Sequence, residues 1–421
     1  MCPLRCTAEL RHLRPPGGLA PATRDRGRPL IHRRPGESWP YQGLRVPAGW
    51  RPKPLREFVL KVHQRCNLAC DYCYVYESPD RSWRDRPAVM SRAVWQAAAA
   101  RIAEHAGRHG LAEVRVVLHG GEPLLAGADR LDRLITDLRA VLPGADVRMQ
   151  TNGVLLDEPM LAMLTAHRVG IGVSLDGPAA DHDRRRRSRA GTGSYPAVER
   201  ALTLLRSAAY RSSYAGLLCT VDPATDPIAA YQTLCSFEPP AVDLLLPHAT
   251  WAAPPAPGHA DWLIAVFDRW YREQPPRPSV RLFEDVISLV LGGPARSDQV
   301  GLSPVAVAVV ESDGTIEQVD SLKTAYHGAA ATGLNVFADS FDAALAHPGV
   351  VARQIGRAAL ADGCLACPVH TVCGAGHYAH RYRPGAGFRN PSVYCADLRR
   401  LIDHVGRRVT TDLRERAAAA S

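Results

Sequence analysis

The sequence contains no uncharged apolar run of about 18 residues, the length that crosses the hydrocarbon core of a membrane. Its first residues also lack the apolar stretch of a secretory signal peptide. These two absences argue against a helical membrane protein and an exported protein, and they predict a cytoplasmic location. In that reducing compartment, the eleven cysteines favour metal ligation over disulfide bonds.

Positive charge is concentrated in residues 1–55, where eleven basic side chains face three acidic ones. The net charge of the whole chain is +9, so the remainder is nearly neutral and a nucleic-acid partner is not indicated. Residues 1–55 are rich in proline and glycine, which predicts a poorly ordered segment. The alternative is a basic arm that attracts an acidic peptide.

Three cysteines follow the first predicted strand at short spacing. The apolar run from Phe58 to Val62 predicts a buried strand because β-branched and aromatic residues fill it. Cys66, Cys70 and Cys73 come directly after it. Three thiolates at this spacing can face one [4Fe-4S] cluster, which leaves one open iron without a protein ligand. A zinc site or a redox pair is the alternative, and a structural zinc ion would need a fourth ligand nearby.

From residue 91 onward, predicted helices alternate with predicted strands. Strands are expected at 114–118, 147–150, 170–175, 215–221 and 242–246, and helices at 91–108, 129–142, 157–167, 194–209 and 226–236. With the first strand this makes six, and the pattern predicts an α/β fold, a partial (β/α)6 TIM-like barrel. Its chemistry would lie at the C-terminal strand ends.

Glycine and polar residues follow the predicted strands at this edge. In chain order they are Gly120, Gly121 and Glu122 after the second strand, Asn152 after the third, and Ser174 and Asp176 after the fourth. The paired glycines would let backbone approach a ligand, and the Glu122 carboxylate would face an ammonium group. Ordinary turns are the alternative for each segment, since Asn-Gly and Asp-Gly are common turn sequences.

A basic run at 182–189 follows the fourth strand. A solvated loop is its simplest interpretation. The alternative is that an arginine in the run binds a carboxylate at the rim of the barrel.

The C-terminal part carries a second group of cysteines, namely Cys364, Cys367, Cys373 and Cys395. Four thiols suit a closed metal site, so structural zinc and a fully ligated auxiliary [4Fe-4S] cluster are both open. A cluster with every corner filled by protein suits electron transfer. We expect five regions: 1–55, a barrel at 56–250, a helical bridge at 251–303, a cysteine-rich domain at 304–410 and a tail at 411–421.

The first cysteine group, with Tyr72 before its last cysteine, resembles the signature of radical SAM enzymes. In that family the open iron binds the amino and carboxylate groups of S-adenosylmethionine. The resemblance implies that Gly120, Gly121 and Glu122 hold the methionyl amino group, that Asn152, Ser174 and Asp176 contact the ribose or carboxylate, and that Arg186 binds the carboxylate.

The C-terminal cysteines resemble a SPASM domain, the auxiliary cluster domain of peptide-modifying radical SAM enzymes. The chain departs from that pattern where a first auxiliary cluster would be bound, because Val319 and His377 stand at cysteine positions. Asp320 remains where a catalytic acid follows the missing cysteine. A residue that caps a hairpin turn is the alternative for Asp320.

The run from 58 to 402 is similar to the FxsB-type peptide maturases, which belong to the cyclophane-forming radical SAM/SPASM group. The similarity rests on the first strand and on the segments 245–248, 320–323, 380–383 and 390–395. It implies a ribosomal precursor peptide as substrate and a carbon–carbon crosslink between an aromatic ring and a β-carbon. It also implies a radical that removes a β-hydrogen, an auxiliary cluster that takes the leftover electron and Asp320 as acceptor of the proton.

Two other functions remain open at this point. One is a SPASM-type oxidase such as a sulfatase-maturing enzyme, which the missing first auxiliary cluster disfavours. The other is a zinc-stabilised peptide-binding protein without chemistry. Either enzyme would need an electron donor such as a ferredoxin or a flavodoxin.

Overall fold

Ten strands form one sheet in the computed structural model, which describes residues 44–274 and 277–419. They are β1 Glu57–His63, β2 Arg115–Gly120, β3 Asp146–Thr151, β4 Gly170–Ser174, β5 Tyr214–Thr220, β6 Ala241–Leu245, β7 Ser279–Val280, β8 Val307–Val310, β9 Thr315–Glu317 and β10 Ala331–Asn335. The order across the sheet is β10-β9-β8-β1-β2-β3-β4-β5-β6-β7. Strands β1 to β6 are parallel neighbours, which confirms the predicted α/β fold.

The cysteine-rich part is continuous with the barrel sheet. Strand β8 pairs in parallel with β1, and the antiparallel strands β9 and β10 extend that edge. This junction was not predicted, because β8 enters beside a strand about 250 residues earlier in the chain.

Thirteen α-helices occur among the described residues. They are α1 Arg92–Arg108, α2 Ala128–Val141, α3 Glu158–Ala166, α4 Ala179–Arg185, α5 Tyr195–Leu205, α6 Pro227–Ser236, α7 His259–Arg272, α8 Arg281–Val290, α9 Phe341–Leu345, α10 Pro348–Ala352, α11 Asp362–Leu365, α12 His370–Cys373 and α13 Cys395–Ala419. Side chains of Ser91, Asp157 and Asp226 cap α1, α3 and α6 by accepting backbone N–H groups. Over the described residues, none of these helices combines the length and apolarity that a membrane crossing requires.

Alternation along β1 separates the core from the barrel interior. Phe58, Leu60 and Val62 are buried among the apolar side chains of the main core. The intervening residues point to the opposite face because successive side chains of a strand alternate. Lys61, which is fully buried, is thereby directed into the barrel.

Several boundaries differ from the predictions. The basic run is not a solvated loop: its first part belongs to α4, and His182 and Arg186 are buried. Helix α5 ends at Leu205 rather than at 209. Helix α13 continues through residue 410, where we expected a separate tail. Residues 1–43 of the expected poorly ordered segment lie outside the described part, whereas Leu55 is fully buried in the core.

Candidate active site

Two glycines bring the end of β2 against the cysteine loop. The Gly121 N–H donates a hydrogen bond to the His63 carbonyl at 2.8 Å, and the Glu122 N–H donates to the Arg65 carbonyl at 3.0 Å. A Cβ atom at Gly121 would lie 2.6 Å from the Arg65 carbonyl oxygen and would overlap the Tyr76 hydroxyl. The glycine pair is therefore required for packing of the protein on itself, apart from any contact with a ligand.

We expect Gly121→Ala to lower the free energy of unfolding by roughly 1–3 kcal/mol, because the added methyl group has no space beside the Arg65 backbone. Denaturant unfolding of the anaerobic, cluster-loaded protein, followed by circular dichroism, measures the change. Gly107→Ala is the control, since nothing lies within 4 Å of an added Cβ there and the residue is in α1. Alanine at 107 should raise the free energy of unfolding by about 0.5–1 kcal/mol. Unchanged stability of Gly121→Ala would contradict the close packing.

The three cysteines of the loop line a cavity of about 220 Å³ at the C-terminal edge of the sheet. Its other lining residues include Tyr72, Gly120, Gly121, Asn152, Ser174 and Arg186. Residues that were predicted to form the site, from four separate segments of the sequence, therefore line one cavity. Their roles toward a ligand stay predictions.

The loop cysteines are partly buried, and their thiols influence one another electrostatically. Burial raises the pKa of each, that of Cys66 to about 12, and the negative charges of Cys70 and Cys73 add to the effect at Cys66. The thiolate is the form that binds metal, so this site needs a compensating positive charge. Among the described residues, no three thiol sulfurs lie within 4.8 Å of one another. Ligands of a single zinc ion, with Zn–S bonds of about 2.3 Å, would meet that limit, so the three thiols do not form a closed single-ion site in this geometry.

Tyr72, Asp176 and Arg186 form a buried polar group beside the thiols. The Tyr72 hydroxyl donates to Asp176 Oδ2 and accepts from Arg186 Nη1 at 2.6 Å, while Asp176 Oδ1 accepts the Thr220 N–H at 3.0 Å. Burial opposes the Arg186 charge, but Tyr72 and Asp176 outweigh it and hold the pKa of Arg186 above its ordinary value. The Arg186 Nε is buried without a hydrogen-bond partner among the described residues. This unused cationic donor fits a ligand carboxylate.

Glu122 is fully buried and is held by protein donors. Its Oε1 accepts the Leu124 N–H at 3.0 Å and the Thr151 hydroxyl at 2.7 Å, and its Oε2 accepts the Asn152 N–H at 2.8 Å. Burial raises its pKa, and these donors oppose that shift. The described cavity lining does not include Glu122. In this structure the carboxylate fixes the end of β3, and contact with an ammonium group stays a prediction.

Asn152 and Ser174 are oriented by neighbouring amides. Asn152 Nδ2 donates to Asn67 Oδ1 at 2.7 Å and lies 3.7 Å from Cys66 Sγ. The Ser174 hydroxyl accepts from Gln150 Nε2 at 3.2 Å. Both side chains line the cavity, where each retains capacity for a further hydrogen bond.

The second cysteine group is also assembled. Cys364 lies in α11, Cys373 ends α12, Cys395 begins α13, and Cys367 lies between the first two helices. The Cys364 thiol is influenced by the charges of Cys395 and Cys367, and burial raises the pKa of Cys373 to about 11. The four sulfurs therefore share one region without the close approach that a single ion requires.

Asp320 lies in a 3-10 turn after β9 and is clamped by two lysines. Its Oδ2 accepts from Lys61 Nζ at 2.6 Å, and its Oδ1 accepts from Lys323 Nζ at 2.8 Å. Burial alone would raise the pKa of Asp320, but the two ammonium groups outweigh it and lower this pKa far below its ordinary value. Lys323 also pairs with Glu311 at 2.5 Å and Glu317 at 3.1 Å. Asp320 is therefore a charged carboxylate at neutral pH and a weak base.

His119 connects this charged group to the thiol cavity. Its Nδ1 lies 3.4 Å from Lys61 Nζ, and burial lowers the pKa of His119 to about 4, so the imidazole is neutral. A second cavity of about 550 Å³ is lined by His119 and Asp320. The residues that line both cavities are Tyr74, His119, Leu245, Leu246 and His248, so the two spaces adjoin. Sequence reasoning missed Lys61 and His119, although a lysine within an apolar strand was an available signal.

Comparison with known proteins finds similarity over the barrel region and beyond it. The family model described as the radical SAM superfamily matches residues 60–222. The cysteine-type anaerobic sulfatase-maturating enzyme of Clostridium perfringens is 26% identical over 284 residues, which cover 63% of this chain and 74% of that relative.

Two solved structures share the fold. Native anSMEcpe with bound AdoMet and Cp18Cys peptide has a TM-score of 0.73 at 21% identity, covering 86% of this chain and 99% of that chain. Streptococcus suis SuiB bound to precursor peptide SuiA has a TM-score of 0.53 at 15% identity, and the match covers 80% of this chain and 75% of that chain. At these identities the likeness shows the architecture.

Proposed function

We propose that this chain, a member of the radical SAM superfamily with homology to the anaerobic sulfatase-maturating enzymes, is an enzyme that modifies a ribosomal precursor peptide. The modification is a carbon–carbon crosslink between an aromatic ring and the β-carbon of a nearby residue. The observation that carries the proposal is that the thiol cavity adjoins a larger one of about 550 Å³, which offers space for peptide side chains beside the cofactor site.

The residues present fit the cofactors of this superfamily. Cys66, Cys70 and Cys73 would hold a [4Fe-4S] cluster with one open iron, and Arg186, whose Nε has no partner among the described residues, would bind the carboxylate of S-adenosylmethionine. When bound, this pair supplies a carbon-centred radical that removes a hydrogen atom from an unactivated carbon. The second cysteine group would hold one auxiliary [4Fe-4S] cluster, placed to accept an electron.

The protein's own groups would orient the cofactor. Arg186 donates a hydrogen bond to the Tyr72 hydroxyl, which in turn donates to Asp176. These contacts keep the planar Arg186 guanidinium charged and fixed in position. Asn152 and Ser174 would donate or accept at the ribose or carboxylate. Apolar walls from Leu245 and Leu246 reduce water access and so protect a reactive carbon.

Asp320 is the proposed acceptor of the proton that the ring loses when it regains aromaticity. Its two lysine partners lower the pKa of Asp320, so Asp320 is a weak base. A weak base suffices here, because the proton of a ring cation that has lost its aromaticity is strongly acidic. Asp320 lines the larger cavity, and each of its oxygens retains a free lone pair.

The competing reaction is oxidation of a cysteine or serine side chain, which the similarity to the sulfatase-maturating relative favours. In the SPASM pattern, cysteines of a first auxiliary cluster occupy the positions where this chain has Val319 and His377. The absence of these cysteines favours the crosslink over that oxidation. A zinc-stabilised binding protein is the weakest of the three, because the sulfur spacing does not suit a single ion.

The proposal is tested by anaerobic incubation with S-adenosylmethionine, a reductant and the peptide of a short open reading frame adjacent to the gene. We expect a product lighter by two hydrogen atoms whose tandem mass spectrum lacks cleavage between the two joined residues. Serine oxidation would also remove two hydrogen atoms, but its aldehyde would react with a hydrazide and the backbone would fragment normally. An aldehyde product would overturn the crosslink and leave the superfamily assignment intact.

The electron donor and the compartment are part of the proposal. A ferredoxin or a flavodoxin of the cytoplasm would reduce the cluster, and the same compartment keeps the nine described free thiols available for ligation.

A further inference from the structure

Three histidines from distant segments meet at the wall of the larger cavity. His248 follows β6, while His377 and His380 lie in and beside the 3-10 turn that precedes α13. The ring centroids of His248 and His377 are 5.0 Å apart, those of His248 and His380 5.5 Å, and those of His377 and His380 5.0 Å. One nitrogen from each ring lies within 4.8 Å of the others.

His377 and His380 are buried and His248 is partly buried, and each ring holds a buried nitrogen without a hydrogen-bond partner among the described residues. Only 9% of His377 and 3% of His380 is exposed. The Nδ1 atoms of all three rings and the Nε2 of His380 have no hydrogen-bond partner among the described residues. Burying an unpartnered polar group costs about 1–3 kcal/mol, so a cluster of four such atoms would be unfavourable unless a ligand occupies it.

An acidic side chain supports one ring from behind. His377 Nε2 lies 3.4 Å from Asp298 Oδ2 and 3.4 Å from the Ser321 hydroxyl. A metal-binding histidine commonly donates its second N–H to a carboxylate, which orients the ring and leaves the other nitrogen for the ion. In His377 the nitrogen left over is Nδ1, which is one of the unpartnered atoms.

In two other groups of potential metal ligands, the side chains already have charged partners. His105, His109 and Asp342 already pair with each other at 2.8 and 2.7 Å. Glu311, Glu317 and Asp320 are paired with three cations, Lys61, Arg86 and Lys323. Of the three groups found among the described residues, the histidine cluster is the one in which every ring keeps a buried nitrogen without a partner.

We propose that His248, His377 and His380 bind one divalent transition-metal ion, with zinc as a suitable occupant, and that Asp298 positions His377 for this purpose. Three neutral imidazoles suit zinc and related ions, and a fourth coordination position would remain for a ligand from outside the protein. All three histidines line the cavity that also contains Asp320, so that position faces the proposed peptide site. The ion would accept an oxygen or nitrogen donor from a molecule in that cavity.

The test uses cluster-loaded full-length protein that is incubated with zinc chloride and then passed through a desalting column. We expect mass spectrometry to find about one zinc ion per chain. X-ray absorption fine structure at the zinc edge should show nitrogen or oxygen neighbours at about 2.0–2.1 Å and no sulfur at about 2.3 Å. The variant His377→Gln with His380→Gln should lose this zinc and keep its iron. His167→Gln, at the end of α3 and paired with Asp132, is the control and should retain the zinc.

Asp298→Asn keeps the test decisive if the double variant fails to fold. The Asp298 side chain is 51% exposed, so its replacement should leave the fold intact. It should weaken zinc affinity about 10- to 100-fold by removing the carboxylate behind His377. Sulfur neighbours around the zinc, less than stoichiometric retention by wild type, or unchanged affinity in Asp298→Asn would each overturn the proposal, and none of these outcomes depends on the crosslinking reaction.

Discussion

Replacing Cys66, Cys70 and Cys73 together by alanine is expected to abolish formation of 5'-deoxyadenosine from S-adenosylmethionine. Among the described residues, these three cysteines are the ones whose thiols line the smaller cavity, so their replacement leaves no thiol in that cavity to hold a cluster. Iron content should fall from about eight to about four atoms per chain, because the second cysteine group is unchanged. Chromatography of the anaerobic reaction measures the nucleoside, and a colorimetric assay measures the iron.

The matched control is Cys235→Ala. Cys235 is a free, partly buried thiol in α6, outside both cysteine groups. Its variant should form the nucleoside at the wild-type rate and keep all of its iron. If the triple variant still produces 5'-deoxyadenosine above the level of a reaction without enzyme, the assignment of the cluster to these cysteines is wrong.

The parts of the fold that the sequence predicts well are encoded locally. Six parallel strands were expected and all are present, because each is a short segment with buried apolar residues and a helix lies between successive strands along the chain. Gly120, Asn152 and Ser174 line the smaller cavity together because parallel strands end at one edge of the sheet, whereas Glu122 and Asp176 are not in its described lining; the roles of all five toward a ligand stay predictions.

What the sequence does not predict depends on contacts between distant segments. The ion pair of Lys61 with Asp320 spans 259 positions and exists because β8 docks beside β1. The histidine cluster likewise joins residue 248 to residues 377 and 380. The helix formed by part of the basic run was missed because charge alone suggested solvent, whereas α4 buries His182 against Ser194.

Asp320→Asn is expected to lower the free energy of unfolding by about 3–5 kcal/mol, because it leaves Lys61 buried without its carboxylate. Lys323 keeps Glu311 and Glu317, so Lys61 carries most of the penalty. Pairing lowers the pKa of Asp320 below its ordinary 3.8, so its contribution is complete above about pH 4 and is lost as the pH falls toward the folded-state value. The difference between the two proteins in denaturant unfolding should therefore be full at pH 7 and smaller in acid.

A second substitution separates this structural loss from chemistry. In Lys61→Met with Asp320→Asn, both members of the pair are neutral, so stability should recover most of the loss; the coupling between the two sites is then large in a double-mutant cycle. If Asp320 accepts the ring proton, this stable double variant still forms 5'-deoxyadenosine but no crosslinked peptide, while Lys61→Met with Asp320 intact tests the lysine alone. Crosslinking at the wild-type rate by the double variant would remove Asp320 from the reaction and leave it as the counterion of a buried lysine.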